Sequence, residues 1–109
     1  MTVADFAAKC DLKTIAMPEG EREITGAYIG DLLSWVMSRA KTGDAWVTIM
    51  SNINIVAVAA LTECACIILA EGVEADEKVV DLCQSKGVNI LSSPLTSFQL
   101  ATKLSQVLS

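Results

Sequence analysis

Short β-branched and aliphatic runs alternate along this chain with segments whose apolar positions recur at helical spacing. That alternation is the pattern of βα units around a mostly parallel sheet. A first helix is expected over Val3–Lys9, with Thr2 and Asp5 at capping-box spacing. Lys13–Ala16 reads as a strand, residues 17–22 (MPEGER) as a polar turn, and residues 24–29 as a second strand. Gly30-Asp31 then opens a helix, with Asp31 at the N-cap and Leu32, Leu33, Val36, Met37 and Ala40 at helical spacing. Lys41-Thr42-Gly43 ends it. Residues 45–50 form a strand, and Ser51 or Asn52 caps a helix of small apolar residues over 53–61. Residues 66–70 are apolar throughout, as buried parallel strands are. Residues 76–86 form an amphipathic helix with Val79, Val80 and Cys83 inward, stopped by Gly87. Residues 88–91 are the last strand. Ser93 caps the final helix, with Pro94 at its first position and Leu95, Phe98, Ala101, Leu104 and Leu108 as its apolar stripe. The expected fold is therefore α/β: a layered domain with a mostly parallel sheet flanked by helices.

Composition narrows what such a domain does. The 109 residues suit one domain over 1–109, without linker, repeat or low-complexity segment. Hydrophobic residues make up 52% but aromatics only 5%, so the core is aliphatic. The net charge of -5, with eight scattered basic residues, argues against nucleic acid as a partner. The N-terminus has no basic start and Asp5 breaks its apolar character, so it does not read as a signal peptide. The longest apolar stretch, 53–61, contains Asn54 and falls far short of the ~20 residues of a membrane span. A cytoplasmic protein with no membrane partner is expected. Cys10, Cys64, Cys66 and Cys83 read as buried thiols, since free cysteine packs as a small hydrophobe; a redox or metal role is the alternative.

No phosphate loop, dinucleotide fingerprint or nucleophile elbow is present. Histidine, the commonest general base and metal ligand, is absent from the chain. No catalytic residue, cofactor or metal site is assigned, and an enzyme is the weakest reading. The acids Glu71, Glu74, Asp76 and Glu77 read as a solvated loop and a helix first turn, with a divalent-ion site as the alternative. Ligands of open α/β sheets sit beyond the carboxyl ends of the strands. Here those positions hold Gly30, Asp31, Ser51, Asn52, Asn54, Gly72, Ser92 and Ser93, small polar groups suited to an anion at helix N-termini. Simple capping accounts equally for Asp31, Asn52 and Ser93. The helix over 53–61 is apolar almost all round. It is either sandwiched within the monomer or set at a homodimer interface through Ile53, Ile55, Val56 and Ala59. Trp35 and Trp46 are core or interface anchors.

Residues 24–104 resemble the DRTGG domain in its small stand-alone form. The pieces that carry the resemblance are ITGAYIGDLLSWVMSRA, AWVTIMSNINIVAVAAL, CIILAEGVEADEKVVDLCQSKGVNIL and SPLTSFQLATKL, in the family's order. Of the family's Asp-Arg and Thr-Gly-Gly pairs, Asp31 and Gly72 match, while Leu32, Ala70 and Glu71 depart. The resemblance implies a fold like the N-terminal domain of HPr kinase/phosphorylase. It also implies a non-catalytic regulatory or dimerising module, with relatives beside hydrogenase and redox functions of anaerobic bacteria. Similar domains in pyrophosphatases belong to regions that respond to adenine nucleotides. Two readings follow: a homodimeric interaction module with a protein partner in redox metabolism, and a sensor of an adenine nucleotide or other anionic metabolite at the strand ends.

Overall fold

Four apolar stretches pair as parallel strands, and a fifth closes one edge in the opposite sense. The computed structural model describes residues 1–108. In chain order the elements are α1 (Val3–Lys9), β1 (Lys13–Ala16), β2 (Gly26–Ile29), α2 (Leu33–Arg39), β3 (Asp44–Thr48), α3 (Asn54–Thr62), β4 (Cys66–Leu69), α4 (Glu77–Lys86), β5 (Ile90–Ser92) and α5 (Ser97–Leu108). The sheet order is β1-β5-β4-β3-β2. β2 to β5 are parallel, and β1 runs antiparallel to β5, with Lys13 opposite Ser92 and Thr14 opposite Leu91.

The strands β2, β3, β4 and β5 lie side by side in chain order, so every crossover steps the same way. Right-handed crossovers in one direction leave their helices on one face. Accordingly α2, α3 and α4 share a core with Trp46, Ile67, Leu69 and Ile90. The alternate residues of the same strands, Ala45, Val47, Cys66, Ile68 and Leu91, point the other way and pack with α1 and α5. β3 and β4 are buried along their whole length because both faces are covered.

Local chemistry sets the element ends. The Thr2 hydroxyl accepts from the Asp5 N–H at 3.2 Å and starts α1. Asp76 Oδ1 accepts from the Val79 N–H at 3.0 Å and starts α4. Gly87, at φ 70, supplies the left-handed residue that ends α4. The buried Asn89 side chain takes the Glu19 N–H at 2.9 Å and donates to the Glu19 carbonyl at 2.7 Å and the Ala65 carbonyl at 2.9 Å. It thereby fixes the polar turn over 17–22 to the sheet.

Several sequence expectations change. Residues 24 and 25 are outside β2: Ile24 donates to the Met1 carbonyl and Thr25 to the Gly43 carbonyl, not to a strand neighbour. Asp31 is not a helix cap. Its Oδ1 accepts from Thr48 Oγ1 at 2.8 Å and the Ile49 N–H at 2.9 Å, while α2 begins after Leu32 with no side-chain cap. Of the expected core face of α2, only Val36 is fully buried; Leu32 and Met37 are exposed. The last strand is Ile90–Ser92, not 88–91. Ser93 does not cap α5, since its hydroxyl accepts from the Leu95 N–H in a turn. The cap is Thr96, whose Oγ1 accepts from the Gln99 N–H at 3.2 Å while Gln99 Oε1 accepts from the Thr96 N–H at 3.0 Å. That reciprocal box satisfies two donors, which Ser93-Pro94 cannot do. Along α5, Leu100 and Leu104 are buried while Phe98 is 80% exposed. On α3, Ile55, Val56 and Ala59 are buried within the monomer, while Ile53 is exposed.

Candidate functional site

After β4 the chain turns toward the face carrying α4; after β5 it turns toward the face carrying α5. Adjacent strands whose loops diverge in this way open a crevice beyond their carboxyl ends. A cavity of about 550 Å³ lies there. Its walls are residues 72–75 after β4, residues 92–94 at the end of β5, and Asp11 with residues 13–15 from the start of β1. β1 reaches this end of the sheet because it runs antiparallel to β5. The volume falls in the range of small-molecule sites, roughly 300–1,000 Å³.

The two loops are tied together. Glu71 N–H donates to the Leu95 carbonyl at 2.8 Å and Gly72 N–H to the Ser93 carbonyl at 3.0 Å. Residues 70–73 form a tight turn closed by the Val73 N–H on the Ala70 carbonyl at 3.1 Å. Glu71 and Gly72 both have positive φ, 61 and 72, as the two central residues of a type I′ turn require. A Cβ on Gly72 would meet nothing within 4 Å. Backbone conformation, not crowding, therefore favours glycine here. Asp11, on the opposite wall, is also left-handed at φ 54.

Gly72, Ser92 and Ser93 are brought together in this cavity. Gly30, Asp31, Ser51, Asn52 and Asn54 are not among its lining residues. Gly30 and Asp31 serve the fold: the Gly30 carbonyl accepts from Trp46 Nε1 at 2.9 Å, and Asp31 ties the end of β2 to that of β3. Asn52 Oδ1 accepts from the Asn54 N–H at 2.9 Å at the start of α3, so both belong to a helix entry. Sequence reasoning missed Asp11 and Lys13, and placed Glu74 in a solvated acidic loop. Lys13 is the one basic residue in the lining, which also holds Asp11 and Glu74. No local signal places β1 beside β5, because the two are far apart in the chain.

All four cysteines are free and buried. Burial pushes the Cys66 thiol well up, and the neighbouring Cys64 and Cys10 thiols add to that. Burial alone pushes Cys83 up to about 11. Cys64 is raised by burial, against the opposing effect of its contact with Thr62. Cys10 is raised by burial despite the nearby Lys103 charge. Protonated, desolvated thiols are poor nucleophiles and poor metal ligands. Among the described residues, no group of three or more Cys, Asp or Glu side chains is placed to hold a metal ion. The acid Asp76 is occupied as the cap of α4. No helix among the described residues is long and apolar enough to cross a membrane.

Residues 18–107 match the family described as the DRTGG domain. The chain belongs to the DRTGG domain family. This DRTGG fold is also similar to a crystal structure of the CBS and DRTGG domains of the regulatory region of Clostridium perfringens pyrophosphatase, complexed with its activator diadenosine tetraphosphate. The TM-score is 0.74 at 12% identity, covering 96% of this chain and 46% of that one. The DRTGG chain thus spans less than half of the solved regulatory region, and the likeness establishes the layered α/β fold expected from sequence. No curated protein matches the chain.

Proposed function

We propose that this DRTGG domain is a non-catalytic regulatory module that binds an adenine nucleotide or related anionic metabolite in the crevice between the β4 and β5 loops. The observation that carries the reading is the cavity of about 550 Å³ at the point where those loops diverge. Nucleotide binding by the pyrophosphatase regulatory region supports the ligand class. In this reading the Lys13 ammonium takes a phosphate. The Ser92 hydroxyl and the carboxylates of Asp11 and Glu74 take the hydroxyl and amino groups of the nucleoside. Chemistry on the ligand is not proposed, because the four thiols are buried and held protonated and the chain has no histidine to activate a hydroxyl.

The test is a thermal-shift series with AMP, ATP and diadenosine tetraphosphate. At ~100-fold excess over Kd, binding adds about 2.7 kcal/mol of stability, which is several degrees in Tm. Lys13→Ala removes a charged contact worth about 1.5–3 kcal/mol and is expected to weaken binding tenfold or more. No shift at millimolar ligand, or an unchanged shift in Lys13→Ala, would sink the reading.

A second reading, a homodimeric interaction module in the cytoplasm with a protein partner in redox metabolism, is favoured by another observation. Large apolar side chains lie open on the helical face, with Trp35 and Ile53 each 51% exposed and Leu61 70% exposed. The two readings are compatible: ligand in the crevice, partner on the helices.

A further inference from the structure

We propose that the open edge of β2 takes an extended acidic segment of another protein as an added strand. The inference goes beyond the two readings above and depends on neither. The two edges of the sheet differ in their protection. β1 carries Lys13, and its register against β5 slips between Thr14 and Ala16. A lysine and a bulge are devices that blunt an edge against further pairing. β2 has neither: Gly26-Ala27-Tyr28-Ile29 is uncharged and pairs with β3 in unbroken register. The Gly30 N–H donates to the Val47 carbonyl at 3.1 Å. Backbone groups alternate in direction along a strand, so those of Tyr28 also face β3, and those of Ala27 and Ile29 face outward. Ala27 and Ile29 are exposed, and among the described residues no strand lies beyond β2.

Charge decides the occupant. Where α2 ends beside β2 lies a cavity of about 470 Å³, lined by residues 25–28, Arg39, Lys41, Thr42 and Asp44. The acids around the strand are already engaged. Glu23 pairs with the N-terminal ammonium at 2.6 Å. Asp31 accepts from Thr48 and Ile49. Asp44 is buried and accepts from the Lys41 backbone N–H at 2.8 Å. The Arg39 guanidinium and the Lys41 ammonium, both exposed, have no carboxylate within ion-pair distance among the described residues. Arg39 is held over the Trp35 ring, 3.7 Å from its centroid, which fixes the guanidinium plane and leaves its N–H groups for a carboxylate. α2, which shares the core of Tyr28, and α5, which approaches β2 from the other face, hold no Asp or Glu. In a chain of net charge -5, this edge is therefore a basic patch. An added strand draws affinity from main-chain hydrogen bonds and specificity from its alternate side chains. Acids at the positions on the α2 face meet Arg39 and Lys41. A second copy offers Gly-Ala-Tyr-Ile along its own β2, and no acid for these cations. Complementarity thus favours another protein over a second copy.

The experiment is fluorescence anisotropy with a short labelled peptide alternating valine and glutamate. Its valine–lysine counterpart and a form N-methylated on alternate residues serve as comparisons. The full chain, Ala27→Pro and the double variant Arg39→Ala/Lys41→Ala are titrated, with far-UV circular dichroism and Tm reporting their folding. Proline at position 27 removes an outward N–H and none that bonds to β3. The glutamate peptide is expected to bind saturably, about tenfold or more tighter than the lysine peptide, and to lose about tenfold in the double variant. Ala27→Pro and N-methylation of the peptide are each expected to abolish binding. On binding, the Ala27 and Ile29 amides gain protection from hydrogen exchange. Where Ala27→Pro fails to fold, the N-methylated peptide puts the same question to the parent chain. No saturable binding at millimolar glutamate peptide, equal binding of the two charged peptides, or indifference to N-methylation overturns the proposal. Ala27 and Ile29 amides already protected in the free chain, in proportion to its concentration, would give the edge to a second copy and overturn it as well.

Discussion

Asn89 shows how one polar residue is made tolerable in an aliphatic core. Its amide has three partners, two on the backbone of Glu19 and one on Ala65, so neither its oxygen nor its nitrogen is orphaned. The cysteines take the opposite course and stay neutral. The Cys83 thiol, ordinarily near 9.0, is pushed up to about 11 by burial. Between those values an unfolded chain has released a proton that the folded chain still holds. Stability from this site is therefore complete below pH 9 and is lost as the pH rises toward 11, at roughly 1 kcal/mol per unit. Cys10, Cys64 and Cys66 are shifted in the same direction. The expected outcome is a Tm that falls steadily over this alkaline window, and a shallower fall in Cys83→Ala. Equal slopes in the two proteins would show that the thiol does not titrate this way. Asp31 marks where residue-level reading failed. An aspartate after a strand has the form of a cap, and nothing local reveals that Thr48 and Ile49 compete for its carboxylate.

At the scale of elements, legibility followed the number of local signals that agreed. α4 has a cap, an apolar stripe and a terminator in register, α1 has its capping box, and the bounds of both were readable within a residue. At the start of α5 two signals conflict: Ser93-Pro94 and Thr96-x-x-Gln99 both resemble an entry. The second prevails because it satisfies two backbone donors at once. Thr96→Ala is accordingly expected to cost about 1 kcal/mol, while Pro94→Ala leaves α5 in place. Urea denaturation of both variants measures this. A larger loss for Pro94→Ala than for Thr96→Ala would return the helix start to Ser93. α3 was legible as an apolar helix but not in its facing. Residues apolar on every side give no periodicity from which to separate core from surface.

The whole molecule depends on a pairing that local pattern does not encode. The run from β2 to β5 follows from repeated right-handed crossovers, and it was readable as a parallel α/β sheet. The antiparallel β1 on β5 joins segments far apart in the chain, and it builds one wall of the crevice. The family match begins at residue 18, after both α1 and β1. Yet Val3 and Phe6 are fully buried and Leu12 nearly so, in the core that also holds Leu100 and Leu104 of α5. Lys103 Nζ reaches across to the Cys10 carbonyl at 3.2 Å. Each of the three large side chains forfeits about 1.5–3 kcal/mol if its burial is lost. Their sum approaches the 5–15 kcal/mol typical of a whole domain. A chain starting at Pro18 is therefore expected to lose its cooperative melt and the near-UV circular dichroism of buried Trp46. It would also lose Asp11 and Lys13, so the boundary of the fold and the integrity of the crevice are one question. A truncated chain that still melted cooperatively would make α1 and β1 an appendage. Ligand binding by that chain would then separate the crevice from Lys13.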